Sequence, residues 1–248
     1  GDGGVATVQG SVDINIYGGE VKGSLFGGGE YGTVDVGNDN YAPADITIAV
    51  GSATIGEDIF GGGLGEDSRL SAYSTNRIIT LNGAEVGGSV FGGSRLGYDN
   101  CFMSKDGNNQ EVMERKPLSS NTELRVVSVD MTGGGNIYGG GYMGYSFMDT
   151  RVLVGSSAAD ASGISRPAGF INIDSIYGGS SIGESTGTTS GTELLLGSTY
   201  VEISLKADHT YRGVWIVGDV FGAGDYCEIT GSSEIVFDGF SQDSSMLS

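Results

Sequence analysis

Histidine, cysteine, proline and basic side chains are scarce in this chain, and each scarcity removes a class of function. His209 is the single histidine, and Cys101 and Cys227 are the two cysteines among 248 residues. With no CxxC or His/Cys cluster, a transition-metal centre has no ligand set, and acid-base or nucleophilic catalysis has few side chains to recruit. The two cysteines read as buried thiols. Lysine and arginine total 12 against 31 acidic residues, a formal charge of −19. Such a surface repels phosphodiesters and anionic lipid, so no nucleic-acid partner is expected. No basic-apolar leader opens the chain and no apolar run reaches the roughly 18 residues of a membrane span, so membrane insertion is not expected either. No stretch combines helical periodicity with caps, which argues against βαβ and leucine-rich-repeat folds.

Glycine, at 47 residues, is what the chain has in abundance, and it lacks collagen's every-third spacing. Much of it falls in a phrase that occurs six times: an aliphatic residue, an aromatic ring, then glycines. The phrase reads Leu25-Phe26-Gly27-Gly28-Gly29, Ile59-Phe60-Gly61-Gly62-Gly63, Val90-Phe91-Gly92-Gly93-Ser94, Ile137-Tyr138-Gly139-Gly140-Gly141, Ile176-Tyr177-Gly178-Gly179-Ser180 and Val220-Phe221-Gly222-Ala223-Gly224. The aromatics recur at intervals of 31–47 residues. A unit of that size cannot bury its apolar face alone and stacks on its neighbours.

Upstream of each ring, Ile14-Asn15-Ile16, Ile46-Thr47-Ile48, Ile79-Thr80-Leu81, Leu124-Arg125-Val126, Ile171-Asn172-Ile173 and Val201-Glu202-Ile203 alternate apolar and polar residues. That period marks a strand with one buried face. A third strand per unit is suggested by Thr33-Val34-Asp35-Val36, Arg151-Val152-Leu153-Val154 and Glu193-Leu194-Leu195-Leu196. The expected fold is therefore all-β: a single-stranded parallel β-helix, or β-solenoid, of about six coils with loop insertions, forming one domain over residues 1–248. Phe26, Phe60, Phe91, Tyr138, Tyr177 and Phe221 should form a stacked column, and the aliphatic residues beside them should be buried. Both terminal coils lack a capping helix, so the chain reads as a segment of a longer surface protein, or one that meets another copy end to end.

Variation in repeat length places the insertions. The longest, 98–121, holds Tyr98, Phe102, Lys105, Arg115 and Lys116, and it gathers basic and aromatic side chains in an acidic chain. These five are the candidate ligand-binding residues, since insertions in repeat arrays tend to emerge on one binding side. Shorter insertions fall at 37–44, 155–168 and 184–192.

Several catalytic patterns match through glycine content alone. Gly27, Gly29 and Gly32, and again Gly139, Gly141 and Gly144, satisfy G-x-G-x-x-G, but strand-forming residues follow where a dinucleotide site needs a helix. Gly179-Ser180-Ser181-Ile182-Gly183 satisfies G-x-S-x-G with neither a helix after it nor a histidine nearby in sequence. Gly62-Gly63-Leu64-Gly65-Glu66-Asp67 fits a calcium-binding turn without the tandem repetition such sites use. Calcium at Glu66 and Asp67 is the one cofactor expectation, with Asp99, Glu184 and Asp225 as further carboxylates.

On the repeated glycine-rich phrase and its strands, the chain resembles bacterial cell-surface β-helix proteins, including adhesins and autotransporter-like passenger domains. The resemblance covers nearly the whole chain and is architectural. It implies secretion, an extracellular or cell-surface location, and attachment to a glycan or protein through loop insertions without catalysis. Two alternatives share the architecture: a carbohydrate-active β-helix enzyme, for which paired carboxylates suffice, and a phage receptor-binding adhesin.

Overall fold

The alternating segments form one parallel sheet. Val12–Ile16, Ile46–Gly51, Asn76–Val86, Asn121–Asp130, Asp149–Gly155, Thr199–Ser204 and Ser233–Asp238 lie side by side in chain order. Their register aligns Ile14, Ile48, Ile79, Leu124, Val152, Val201 and Ile235 in a single row. A one-residue slip would turn every apolar side chain outward, which is why the alternation pins the register. The structure is a computed structural model that describes residues 7–8, 10–30, 33–34, 44–65, 70–72, 76–99, 101–105, 107–115, 121–131, 133–146, 148–164, 169–181, 193–195, 197–205, 214–225 and 227–239.

The six aliphatic-aromatic pairs form a second parallel sheet of two-residue strands, again in chain order. Leu25 pairs with Ile59, Ile59 with Val90, Val90 with Ile137, Ile137 with Ile176 and Ile176 with Val220, so the six phrases occupy equivalent positions. A third parallel sheet contains Leu70–Ala72, Arg95–Asp99, Tyr142–Ser146, Glu193–Leu195 and Cys227–Ile229. The architecture is thus mostly β with parallel sheets, in which equivalent segments of successive repeats are neighbours.

The inward faces of the first two sheets share one apolar cluster. Ile59, Val90, Ile137 and Ile176 are all fully buried within it, while Leu25 and Val220 are half-buried against it. The two exceptions sit on the outermost strands of the second sheet, where only one side has a neighbour. Buried threonines join the sheets across this interior. Thr122, Thr150 and Thr199 each donate a hydroxyl to the carbonyl of the glycine after the ring in the same repeat, Gly139, Gly178 and Gly222.

Two strand assignments differ from the sequence expectation. Arg151-Val152-Leu153-Val154 lies in the first sheet, paired with Glu123-Leu124-Arg125-Val126, and is not a third strand. Ile171–Ile173 pairs with Val129 and Asp130 and with Val214–Ile216, so it belongs to the same sheet but extends it beside the C-terminal end of Asn121–Asp130, off the seven-strand path. Both segments alternate, and periodicity alone cannot tell which of two consecutive alternating strands opens a repeat. Between them lies the helix α1 (Ser156–Ser162), whose Ala158 and Ala159 pack on Val127 and Leu153 on the outer side of the first sheet. Seven residues span too few turns to show a helical period, and its N-terminus has no side-chain cap to signal it.

Candidate functional site: a groove beside the aromatic column

Adjacent residues in a strand face opposite ways, so burying the aliphatic member of each pair turns its ring to the other face. The six rings stack in unbroken sequence, with centroids 4.7–4.9 Å apart and planes within 3–12° of parallel. Phe60, Phe91 and Tyr138 are buried, and Phe26 and Tyr177 pack on them. The four inner rings have both faces covered by their neighbours, so they offer a ligand only edges and the two tyrosine hydroxyls, whereas Phe221 at the end of the column is exposed.

The glycine after each ring permits this spacing. A Cβ on Gly61, Gly92, Gly139 or Gly178 would strike the carbonyl oxygen of the equivalent glycine one repeat on. The requirement is close approach, not an unusual backbone angle.

A second regularity lies one residue before each aliphatic member, at Ser24, Asp58, Ser89, Asn136, Ser175 and Asp219. Each of these side-chain oxygens, from Ser24 to Ser175, accepts a hydrogen bond from the backbone N–H of the next residue in that series, at 2.8–3.4 Å. A small oxygen-bearing side chain is all the position requires, which accounts for the mixture of serine, aspartate and asparagine. Aligning the six phrases on their rings would have shown this signal in the sequence.

Four residues after each ring comes a position without such uniformity. Glu30, Leu64, Arg95, Tyr142, Ser181 and Asp225 pair in that order, one per repeat, and all six differ. The next residues, Leu96 and Met143, have φ of 64° and 53°. Bulky side chains seldom adopt the left-handed region, so the surrounding structure must hold these two there, and they direct the chain just past Arg95 and Tyr142.

Between the oxygen ladder and this varied column lies a groove of about 390 Å³. Its walls include Asp58, Asn136, Arg95, Tyr142 and Asp225, and Tyr138 and Tyr177 stand in its floor. Asn136 donates its amide to the Tyr138 hydroxyl at 3.3 Å, and the Tyr142 ring meets Phe91 edge-on at 5.5 Å. Burial pushes the Tyr138 phenol above its ordinary value, against hydrogen bonds to Ser181 and Asn136 that pull the other way. Burial, reinforced by the Asp225 charge, does the same to Tyr177. Both phenols are therefore neutral hydrogen-bond donors at neutral pH. Burial also raises the Asp225 carboxyl. The groove thus offers a guanidinium, carboxylates, an amide and hydroxyls within a space the size of a small organic ligand.

The residues expected from the sequence are placed differently. Tyr98 lies in the third sheet, paired with Tyr145 and Leu70, so it belongs to the regular stack and not to the insertion. Phe102 and Lys105 fall on Cys101–Lys105 and Arg115 on Glu111–Arg115, which pair as the only antiparallel ribbon among the described residues. Lys105 is opposite Glu111 and Arg115 opposite Cys101, at the two ends of that ribbon. Lys116 lies outside the described residues, as do Glu66, Asp67, Glu184 and His209. Asp99 falls on a strand of the third sheet. Of the calcium candidates only Asp225 joins the groove, and no group of three or more metal-ligating side chains converges among the described residues. Ser181 also lines the groove, with no histidine among the described residues around it.

No family model, curated protein or solved structure matches this chain.

Proposed function

We propose that the chain is a single-stranded parallel β-helix of six or more coils, acting as a non-catalytic, secreted or cell-surface module of stalk or adhesin type that binds a glycan. The supporting observation is the contrast between two columns beside the same groove. The oxygen ladder uses interchangeable small acceptors, whereas the residue four after the ring changes chemistry in every repeat, from Glu30 to Asp225. A scaffold position needs uniformity; a recognition position gains from variety. Carboxylate, amide, guanidinium and phenol groups around one groove match the donors and acceptors of a polyhydroxylated ligand. The hairpin carrying Phe102, Lys105 and Arg115 is the other place such a module would contact a protein or glycan partner. The exposed Trp215, Val217 and Phe237 near the final strands fit end-to-end association with a further unit.

A glycan array probed with the wild-type chain, with Arg95→Ala and with Tyr142→Ala tests this reading, each run with calcium and with chelator. Binding that falls at least tenfold in both variants is the expected result. Undiminished binding in both would move the site to the hairpin, and a loss in chelator alone would implicate the Glu66 and Asp67 turn.

One observation favours the enzymatic alternative. Asp58 and Asp225 line the same groove, and burial raises the Asp225 carboxyl. A pair of carboxyl groups in one groove is the minimal set for glycoside hydrolysis. New reducing ends from a polysaccharide panel, abolished by Asp225→Asn, would establish that activity in place of simple binding.

A further inference from the structure

A second cavity lies away from the groove, on the outer side of the first sheet where the C-terminal end of α1 overhangs it. Its volume is about 500 Å³, and Tyr17, Ser52, Thr80, Asn82, Arg125 and Ser162 are among its walls. We propose that this cavity is a second binding site, for a sugar acid: a pyranose bearing one carboxylate, either free or at the end of a glycan.

Four observations carry the assignment. Arg125 is anchored through Nε to Glu123 at 2.5 Å, and Glu123 is also held by Arg151 at 3.1 Å. Arg151 in turn reaches Glu202 at 4.0 Å, so two guanidiniums and two carboxylates balance, and what the cavity meets is the guanidinium edge of Arg125 itself. The anchoring uses one edge of the Arg125 fork, and the edge formed by its two terminal amino groups has no ion-pair partner among the described residues. That edge matches a carboxylate bidentately. A single guanidinium in a chain of net charge −19 suits one negative charge better than a phosphate dianion.

Ser162 supplies the second observation. Its Oγ is buried and has no hydrogen-bond partner, and buried hydroxyls are otherwise nearly always paired. A ligand hydroxyl would satisfy it once the side chains covering the Oγ move aside. The last carbonyls of a helix end favour donors over anions, so a ligand's hydroxyls belong at the Ser162 side and its carboxylate at Arg125.

The third is the backbone of Ser52, held at φ 48°. Register places Ser52 opposite Gly83 of the next repeat, which adopts φ 84°. Glycine adopts this conformation without steric cost and serine does not, so a side chain has been kept at the cavity mouth against local strain. The fourth is Tyr17, which is 72% exposed, lies over Gly51 and donates its hydroxyl to Asn15 Oδ1 at 3.1 Å. An exposed ring held in place beside Thr80 and Asn82 provides an apolar face for a pyranose next to groups for its hydroxyls.

The test is calorimetric titration of the full chain with glucuronate, glucuronamide, glucose and a trigalacturonate, repeated on Arg125→Gln, Ser162→Ala and Ser52→Gly. Expected is binding of glucuronate at least tenfold tighter than of the neutral amide or glucose, with that preference abolished in Arg125→Gln and affinity reduced several-fold in Ser162→Ala. Ser52→Gly guards against misfolding as an explanation, since it should raise the melting temperature while weakening binding. Tighter binding of trigalacturonate than of the monomer would identify a glycan terminus as the source, and the reverse a free sugar acid. Equal affinity for acid and amide, binding untouched by Arg125→Gln, or no binding of any acid would overturn the proposal. Because Arg95 and Tyr142 lie in a different sheet, failure here leaves the groove reading intact, and the reverse holds as well.

Discussion

Tyr138 lies on Phe91 with ring centroids 4.8 Å apart and planes 3° from parallel, although one whole repeat and a hairpin separate them in the chain. Their strands are paired through Val90–Ile137 and Phe91–Tyr138, so the rings inherit their spacing from backbone hydrogen bonds. Stacking is therefore a consequence of register, and whatever disturbs register disturbs the column.

Gly92→Ala is expected to do so. The added methyl would meet the Gly139 carbonyl oxygen and the Thr122 side chain, neither of which can move without shifting a strand. Overpacking of this kind costs about 1–3 kcal/mol or more. Gly107→Ala, in the hairpin turn with nothing near its Cβ, should leave stability unchanged. Urea unfolding of the two variants measures the difference.

Ile137→Ala should destabilise by about 2–5 kcal/mol, as truncations of fully buried side chains do. Leu25→Ala, at the half-buried end of the same row, should cost clearly less. Equal losses at the two positions would show that the outermost repeat is as enclosed as the central ones.

Asp225 makes a pH-dependent contribution. Its carboxyl titrates above the ordinary 3.8 because burial disfavours the charged form. The native state thus holds the proton more tightly than the unfolded chain does. That contribution to stability is fully present below pH 3.8 and is lost as pH rises through the folded value. Asp225→Asn removes the loss, so its melting temperature should exceed the wild type's at pH 7 and the gap should close at pH 3. Thermal scans at the two pH values decide the point.

Replacing residues 100–120 by a short Gly-Ser link should leave the melting temperature within a few degrees of wild type. Among the described residues the ribbon Cys101–Lys105 with Glu111–Arg115 pairs only with itself, whereas the strands on either side, Arg95–Asp99 and Asn121–Asp130, belong to the parallel sheets. Loop length changes closure entropy only slowly. A large fall in melting temperature would mean that the hairpin supports the stack.

The repeated phrase was sufficient, from sequence alone, to align Leu25, Ile59, Val90, Ile137, Ile176 and Val220, to call for parallel pairing and to place the rings in one column. Each of those inferences follows from period and from the two faces of a strand, which are local properties. Periodicity was ambiguous at Arg151-Val152-Leu153-Val154 and Ile171-Asn172-Ile173, where two alternating strands flank α1 and nothing local says which begins the repeat. It was silent on α1 itself, which is too short to show a period. The candidate surfaces depended on the tertiary structure. Arg95, Asn136 and Asp225 line one groove because register carries them across whole repeats, and Arg125 shares a cavity with Ser162 because a helix folds back over a sheet. The sequence by itself determined the stacking and its apolar interior, since every repeat writes the same pattern. Only the tertiary structure decided which dissimilar residues share a groove, because that depends on side-by-side pairing between segments that have no pattern in common.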